Sequence, residues 1–330
     1  MMANLRAGLI GLGMMGRHHA RNLRAIDGVD LVAVADALGD PHGVAGPLDV
    51  LPNVDALIEA GIDYAVVALP TEYHEEAGLK LAAAGIHALI EKPLAKTTEA
   101  ARALATAFEA AGVIGAVGHI ERYNPALQSL RARLEAGDLG DLYQISTRRQ
   151  GPFPNRIADV GVVKDLASHD IDLTAWVTQR QYEWVGARTM YKSGREHEDM
   201  VSATCTLSGS LMSNHLVNWL TPTKERLTIV TGEKGMFVAD TLTADLTFYA
   251  NGQSLHVWDD LAQFQGVTEG DVTKFAIAKP EPLRVEHENF RDAVLGKDND
   301  IVTLEQGARV VEVCEAMITS AQTNEFVRIR

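Results

Sequence analysis

Lys92, Asp165 and His169 are the residues of this chain best suited to acid–base chemistry on an alcohol. An ammonium can hydrogen-bond an oxygen on which negative charge builds, an imidazole that titrates near neutrality can take up a hydroxyl proton, and a carboxylate can orient substrate or imidazole. Lys92 stands in Glu91-Lys92-Pro93, where the proline confines the lysine backbone to extended conformations. Asp165, His169 and Asp172 are spaced by four and three, which puts them on roughly one face of a helix. Such groups oxidise an alcohol only beside a hydride acceptor.

A site for one opens the chain. Residues 7–10 read as a buried strand that runs into Gly11-Leu12-Gly13-Met14-Met15-Gly16 and then a helical pattern. Gly11 permits a tight turn, Gly13 lets the backbone approach a pyrophosphate, and Gly16 lets the helix lie close to the strand, while the helix start at Met14 and Met15 attracts the anion. A second strand, 31–35, ends in Asp36, about twenty residues past Gly16, where a carboxylate bonds a ribose 2′-hydroxyl and repels a 2′-phosphate. NAD is therefore expected in preference to NADP. The competing reading is an ordinary glycine turn followed by a surface aspartate.

Strand-like segments at 63–68, 88–90 and 114–117 alternate with helical ones at 72–84 and 98–111, which predicts a Rossmann-type α/β domain over residues 1–122. An open parallel sheet binds ligands at the carboxyl ends of its strands, so Leu69, Pro70, His74, Glu91 and Lys92 are expected at the same crevice as the glycine loop. Past residue 122 strands follow one another at 201–207, 211–219, 226–231, 236–240 and 246–250, with helices at 160–178, 284–295 and 304–321. This predicts an α+β domain with a largely antiparallel sheet over residues 123–330. Residues 36–52 read as loop.

The length of 330 residues suits two domains, and 46% hydrophobic residues suit packed interiors. A net charge of −14 without a basic run argues against nucleic acid and anionic membranes as partners. No run approaches the roughly 18 apolar residues of a membrane helix, and the apolar start reads as a strand rather than a cleavable signal. Cys205 and Cys314 stand far apart, which suits two buried thiols and a cytoplasmic setting. Lys92 alone could be a solvated strand-end charge, and His169 alone a satisfied surface histidine. Asp165, His169 and Asp172 could bind a cation, but without cysteine or further histidine ligands no metal is expected. His18, His19 and His197 read as surface or packing residues.

These motifs together resemble the Gfo/Idh/MocA oxidoreductases. The resemblance rests on Gly11, Gly13 and Gly16, the step from Pro70 to His74, Glu91-Lys92-Pro93, the segment from Asp165 to Asp172 followed by Trp176, and Val302-Thr303-Leu304-Glu305. It implies Lys92, Asp165 and His169 as the catalytic set, and a second domain whose open sheet pairs with another subunit, giving a homodimer or homotetramer. The chain departs from many members at Ala167-Ser168-His169, where glycines are common. Segments 118–125 and 151–165 are similar to the family's nucleotide-sugar branch. Arg156, with Arg148 or Arg149, is suited to bidentate bonds with a diphosphate, or else pairs with nearby acids. Tyr123 and Asn124 are expected at the nicotinamide or the sugar by position. The resulting expectation is an NAD-dependent oxidoreductase acting on a secondary hydroxyl of a sugar, nucleotide-linked first, with inositol or a free sugar next. An NAD-dependent glycosidase and a non-catalytic dinucleotide sensor are the other readings.

Overall fold

Apolar runs without polar alternation form the strands of the first half, because helices cover both faces of the sheet they build. In chain order the elements are β1 (Leu5–Ile10), α1 (Met14–Leu23), β2 (Val29–Ala35), β3 (Val50–Leu51), α2 (Val54–Glu59), β4 (Tyr64–Val67), α3 (His74–Ala83), β5 (His87–Glu91), α4 (Thr98–Ala111) and β6 (Gly115–Gly118). The computed structural model describes residues 4–153, 160–252 and 268–330. Every pairing in this sheet is parallel, in the order β3-β2-β1-β4-β5-β6. The order reverses between β1 and β4, the switch point at which open sheets bind ligands. Ile10, Val67 and Ile90 pack into one apolar layer, and Leu9, Val66 and Leu89 into the other. Helix α4 starts where Thr97 caps it, its Oγ1 accepting from the Ala100 N–H at 3.2 Å, and stops at Gly112 in the left-handed region. The loop expected over 36–52 contains β3.

The second half comprises α5 (Pro125–Glu135), β7 (Leu142–Pro152), a π-helical turn (Val163–Ala167), α6 (Ser168–Thr178), β8 (Tyr182–Met190), β9 (Met200–Leu207), β10 (Leu211–Asn218), β11 (Leu220–Gly232), β12 (Gly235–Asp240), β13 (Asp245–Gly252), β14 (Thr268–Lys274), α7 (Pro282–Val294), α8 (Leu304–Thr323) and β15 (Val327–Arg328). The strands form one sheet, β14-β13-β12-β11-β7-β10-β9-β8-β15. It is antiparallel except where β7 and β10 run parallel. Its strands alternate: in β9, Val201, Ala203, Cys205 and Leu207 are buried, while Ser202 and Thr204 are exposed.

The chain forms two compact units, divided first between Tyr123 and Asn124. One departs from the expected single boundary: Pro280–Glu315, read from sequence as part of the second domain, belongs to the first unit. The physical reason is apolar coverage. Phe290 of α7 packs edge-on against Tyr64 of β4 at 5.4 Å, and Val302, Leu304, Ala308 and Val311 complete the layer around Val117. The Val117 N–H also donates to the Val302 carbonyl at 2.9 Å.

Candidate active site

Parallel strands deliver Gly11, Asp36, Leu69 and Lys92 to one edge of the first sheet, because each directly follows or closely trails the carboxyl end of β1, β2, β4 or β5. Gly11 has φ 93°, and a side chain there would collide with the backbone of Ala68. A methyl at Gly16 would strike the Gly11 carbonyl, so helix and loop touch. Gly13 differs, since a Cβ there would meet nothing within 4 Å. It precedes α1, whose first turn has no acidic residue and no side-chain cap. Exposed backbone donors at a helix start with open space before them suit a pyrophosphate. Asp36 braces this loop: its carboxylate accepts from the N–H groups of Leu12 at 2.7 Å and Leu38 at 2.8 Å. This half-buried carboxylate, whose oxygens each accept one of those bonds and keep further lone pairs, suits a ribose diol, and the whole arrangement fits a dinucleotide.

Lys92 is half-buried and precedes Pro93 through a cis peptide bond. Its backbone N–H donates to Oε2 of Glu91 at 3.1 Å. His74 ties this turn to the end of β4, with Nδ1 3.0 Å from the Pro93 carbonyl and Nε2 2.9 Å from that of Leu69. Burial lowers its pKa, against the opposing pull of those carbonyls. His74 therefore serves as a clamp beneath the crevice. Glu91, buried, turns its other oxygen to His19 Nε2 at 2.8 Å. Burial raises the Glu91 pKa, but the His19 bond and charge and the Lys92 charge outweigh it, and the group stays ionised below the usual glutamate range.

Behind this pair lie two residues that sequence reasoning missed, Glu286 and His287 of α7. His19 Nδ1 is 2.9 Å from His287 Nε2. Glu286 is 1% exposed and neither carboxylate oxygen has a hydrogen-bond partner among the described residues. Burial, then the charge of Glu91, pushes its pKa well above the ordinary value. A signal was present: Leu283, Glu286, His287 and Phe290 follow the i, i+3, i+4, i+7 spacing of a core-facing stripe, as do Gly16, His19, Ala20 and Leu23 in α1.

In the second unit, Asp165 and His169 lie on one continuous helical stretch, Asp165 in the π-helical turn and His169 in the first turn of α6. The helix expected from residue 160 thus begins later and with wider winding. Asp165 is buried and His169 half-buried. Asp170, the neighbour of His169 in α6, forms a buried ion pair with Arg149 Nε of β7 at 2.9 Å. Arg148 points to the opposite face of β7, where it pairs with Glu225 at 2.9 Å. Arg148 is therefore not brought to Asp165 and His169. Asn124 caps α5, its Oδ1 accepting from the Ala126 N–H at 3.0 Å while Nδ2 donates to the Thr241 carbonyl. Tyr123, in the first unit, is buried and donates its hydroxyl to the Asp300 carbonyl at 3.0 Å. Arg156 lies outside the described residues. Among the described residues no cluster of three His, Cys, Asp or Glu side chains is arranged to hold a metal ion, and no helix is long and apolar enough to cross a membrane.

Comparison with known proteins adds a second line of evidence. Residues 5–119 match the model of an oxidoreductase family with an NAD-binding Rossmann fold, and residues 127–238 match the GFO/IDH/MocA C-terminal domain. A UDP-N-acetylglucosamine 3-dehydrogenase of Acidithiobacillus ferrooxidans is 31% identical over 89% of this chain and 90% of its own. A scyllo-inositol 2-dehydrogenase (NAD(+)) of Bacillus subtilis is 32% identical over 52% of this chain and 54% of its own. The solved structure of the A. ferrooxidans enzyme GnnA superposes with a TM-score of 0.83 at 27% identity, covering 98% of this chain and 99% of that one.

Proposed function

Because this chain belongs to the Gfo/Idh/MocA family of NAD-binding oxidoreductases and is an NAD-dependent dehydrogenase of CH–OH groups, we propose that its substrate is a nucleotide sugar of the UDP-N-acetylglucosamine kind, oxidised at a secondary hydroxyl. The observation that carries the choice of substrate is coverage. The nucleotide-sugar dehydrogenase matches nearly the whole of both chains, whereas the inositol dehydrogenase matches about half of each.

In this reading the loop from Gly11 through Met14 and Met15 to Gly16 holds the pyrophosphate and Asp36 the ribose diol, with Leu69 and Pro70 walling the crevice and His74 and Glu91 bracing it from below. NAD supplies the hydride acceptor. His169 takes the hydroxyl proton as hydride leaves the carbinol carbon, and Lys92 donates a hydrogen bond to the same oxygen as its charge builds. Asp165 orients the imidazole and favours its protonated form. The protein is a cytoplasmic homodimer or homotetramer. The outer face of the nine-stranded sheet supports association, since it carries the exposed side chains of Trp184 and Met212, both in register with Thr206.

The test is NADH formation by the purified protein with UDP-N-acetylglucosamine, other UDP-sugars, free sugars and inositols, with and without a chelator. Fastest turnover with UDP-N-acetylglucosamine is expected, and it should survive the chelator. Faster turnover of an inositol or free sugar would overturn the substrate class. Sugar release without accumulated NADH would mark a glycosidase, and NAD binding with no turnover a sensor.

A further inference from the structure

The run Glu196-His197-Glu198-Asp199 is wholly polar, yet Glu198 and Asp199 are 7% and 1% exposed. Asp199 anchors the loop between β8 and β9. Its carboxylate accepts from the N–H groups of Lys192 at 2.7 Å and Ser193 at 2.8 Å and from the Ser193 hydroxyl at 2.7 Å. Its own N–H donates to the Met190 carbonyl at 2.8 Å, and its carbonyl accepts from the Trp219 N–H at 3.0 Å. Glu198 is thereby held against the start of the helical stretch that carries Asp165 and His169.

There Glu198 does two things at once. Its carbonyl accepts from the Val162 N–H at 3.0 Å, and its Oε1 accepts from the Val163 N–H, also at 3.0 Å. One residue thus satisfies two consecutive donors that a helix start leaves without intrahelical partners, and it sets a carboxylate at the positive end of the helix dipole. The next rung follows, from the Asp165 N–H to the Gly161 carbonyl at 3.0 Å. Gly161 is the counterpart of Glu198: a methyl there would collide with the carboxyl carbon and both carboxylate oxygens. Its backbone lies outside the left-handed region, so it is only the docked Glu198 carboxylate that a side chain at this position would displace.

A π-helical turn is a rare state that accommodates one residue more than an α-helical turn. Relaxing it would rotate Asp165 relative to His169 by about 100°, the angle of one residue in an α-helix. We propose that Glu198, docked on Gly161, locks the π-helical turn and so positions Asp165 and His169 for reaction, an inference that rests on the roles proposed for those two residues above. Glu198 acts through the helix and does not touch the substrate.

The test compares full-length Glu198→Ala, Glu198→Gln, Gly161→Ala and the double variant Glu198→Ala/Gly161→Ala, with kcat and KM for NAD and UDP-N-acetylglucosamine and hydrogen–deuterium exchange over residues 160–168. Glu198→Ala is expected to lower kcat about 10- to 100-fold, with the KM for NAD unchanged and exchange at Val162, Val163 and Asp165 faster. Glu198→Gln keeps the acceptor for the Val163 N–H and should retain both slow exchange and turnover. Gly161→Ala should reproduce the Glu198→Ala defect alone and add nothing to it in the double variant, where the methyl fills the vacated space. Wild-type exchange in Glu198→Ala, equal impairment of the Gln and Ala variants, or additive losses in the double variant would each overturn the lock. Full turnover by His169→Ala, or none of UDP-N-acetylglucosamine by the wild type, would instead overturn the functional reading. The exchange measurements decide the lock in either case.

Discussion

His19 lies 2.8 Å from Glu91 through its Nε2, so the helix that follows the glycine loop and the turn that carries Lys92 share one buried hydrogen bond. Glu91 is held ionised, which makes His19 Nε2 the donor. The other Glu91 oxygen accepts the Lys92 N–H, so the orientation of the lysine backbone depends on a residue of the cofactor-binding helix. Replacing His19 with Ala leaves a buried carboxylate without this donor and should cost about 2–3 kcal/mol of stability. A glutamine places an amide N–H near the Nε2 position. His19→Gln should recover at least half of the loss in urea denaturation, and no recovery would show that the bond does not matter.

Lys92 and His169 carry the proposed chemistry directly. Lys92→Ala and His169→Ala should each lose roughly 100- to 10,000-fold in turnover, while NAD affinity by calorimetric titration stays nearly that of the wild type. Turnover near the wild-type rate in both variants would sink the assignment.

The two loop glycines should separate fold from binding. Gly11→Ala strains a positive φ and collides with the Ala68 backbone, at a cost on the order of 1–3 kcal/mol in stability. Gly13→Ala meets open space within the protein, so its melting temperature should stay within a few degrees of wild type. Its NAD affinity should nonetheless fall at least about tenfold, since the methyl occupies the approach of the pyrophosphate. Equal effects of the two substitutions on melting would contradict this division.

Glu286 should make stability fall as pH rises. Its folded pKa lies well above 4.5, through burial and then the Glu91 charge, so above that value the unfolded chain has lost a proton that the folded chain keeps. Glu286→Gln presents a neutral group of the same shape. The melting-temperature gain of the variant over wild type should grow from pH 4.5 upward, and a gain independent of pH would show that Glu286 does not titrate as described.

His215 works in the opposite direction. It lies among Thr147, Tyr182 and Ser213 hydroxyls, and burial lowers its pKa from 6.5 to about 4. Its contribution is fully present above pH 6.5 and is lost as pH falls towards about 4, as the unfolded chain takes up a proton that the folded chain refuses. The loss approaches about 3 kcal/mol. His215→Gln should flatten the pH dependence of unfolding free energy between those limits, whatever its effect at neutral pH. An unchanged slope relative to wild type would rule His215 out as its source.

What was legible in the sequence was local. Gly11, Gly13, Gly16 and Asp36 announce a cofactor site because turn geometry and helix-start chemistry depend on a few adjacent residues. Thr97, whose side chain caps α4, is legible for the same reason. The adjacent arginines Arg148 and Arg149 could have been sorted too, since neighbours on a strand point to opposite faces. By contrast, the burial of Glu198 depends on a loop held by Met190 and Trp219, and that of Glu91 on His19 more than seventy positions away. No spacing encodes the π-helical turn. Its support comes from residues outside the helix.

The return of Pro280–Glu315 to the first unit has a consequence for how the protein comes into being. Phe290, Val302, Leu304, Ala308 and Val311 are buried in the same layers as the strands of the cofactor-binding sheet. During synthesis those strands leave the ribosome before the unit that separates them from residues 280–315, so part of their apolar covering arrives only after that unit has been translated. A fragment ending at Tyr123 would lack these residues and leave the apolar surface they cover bare.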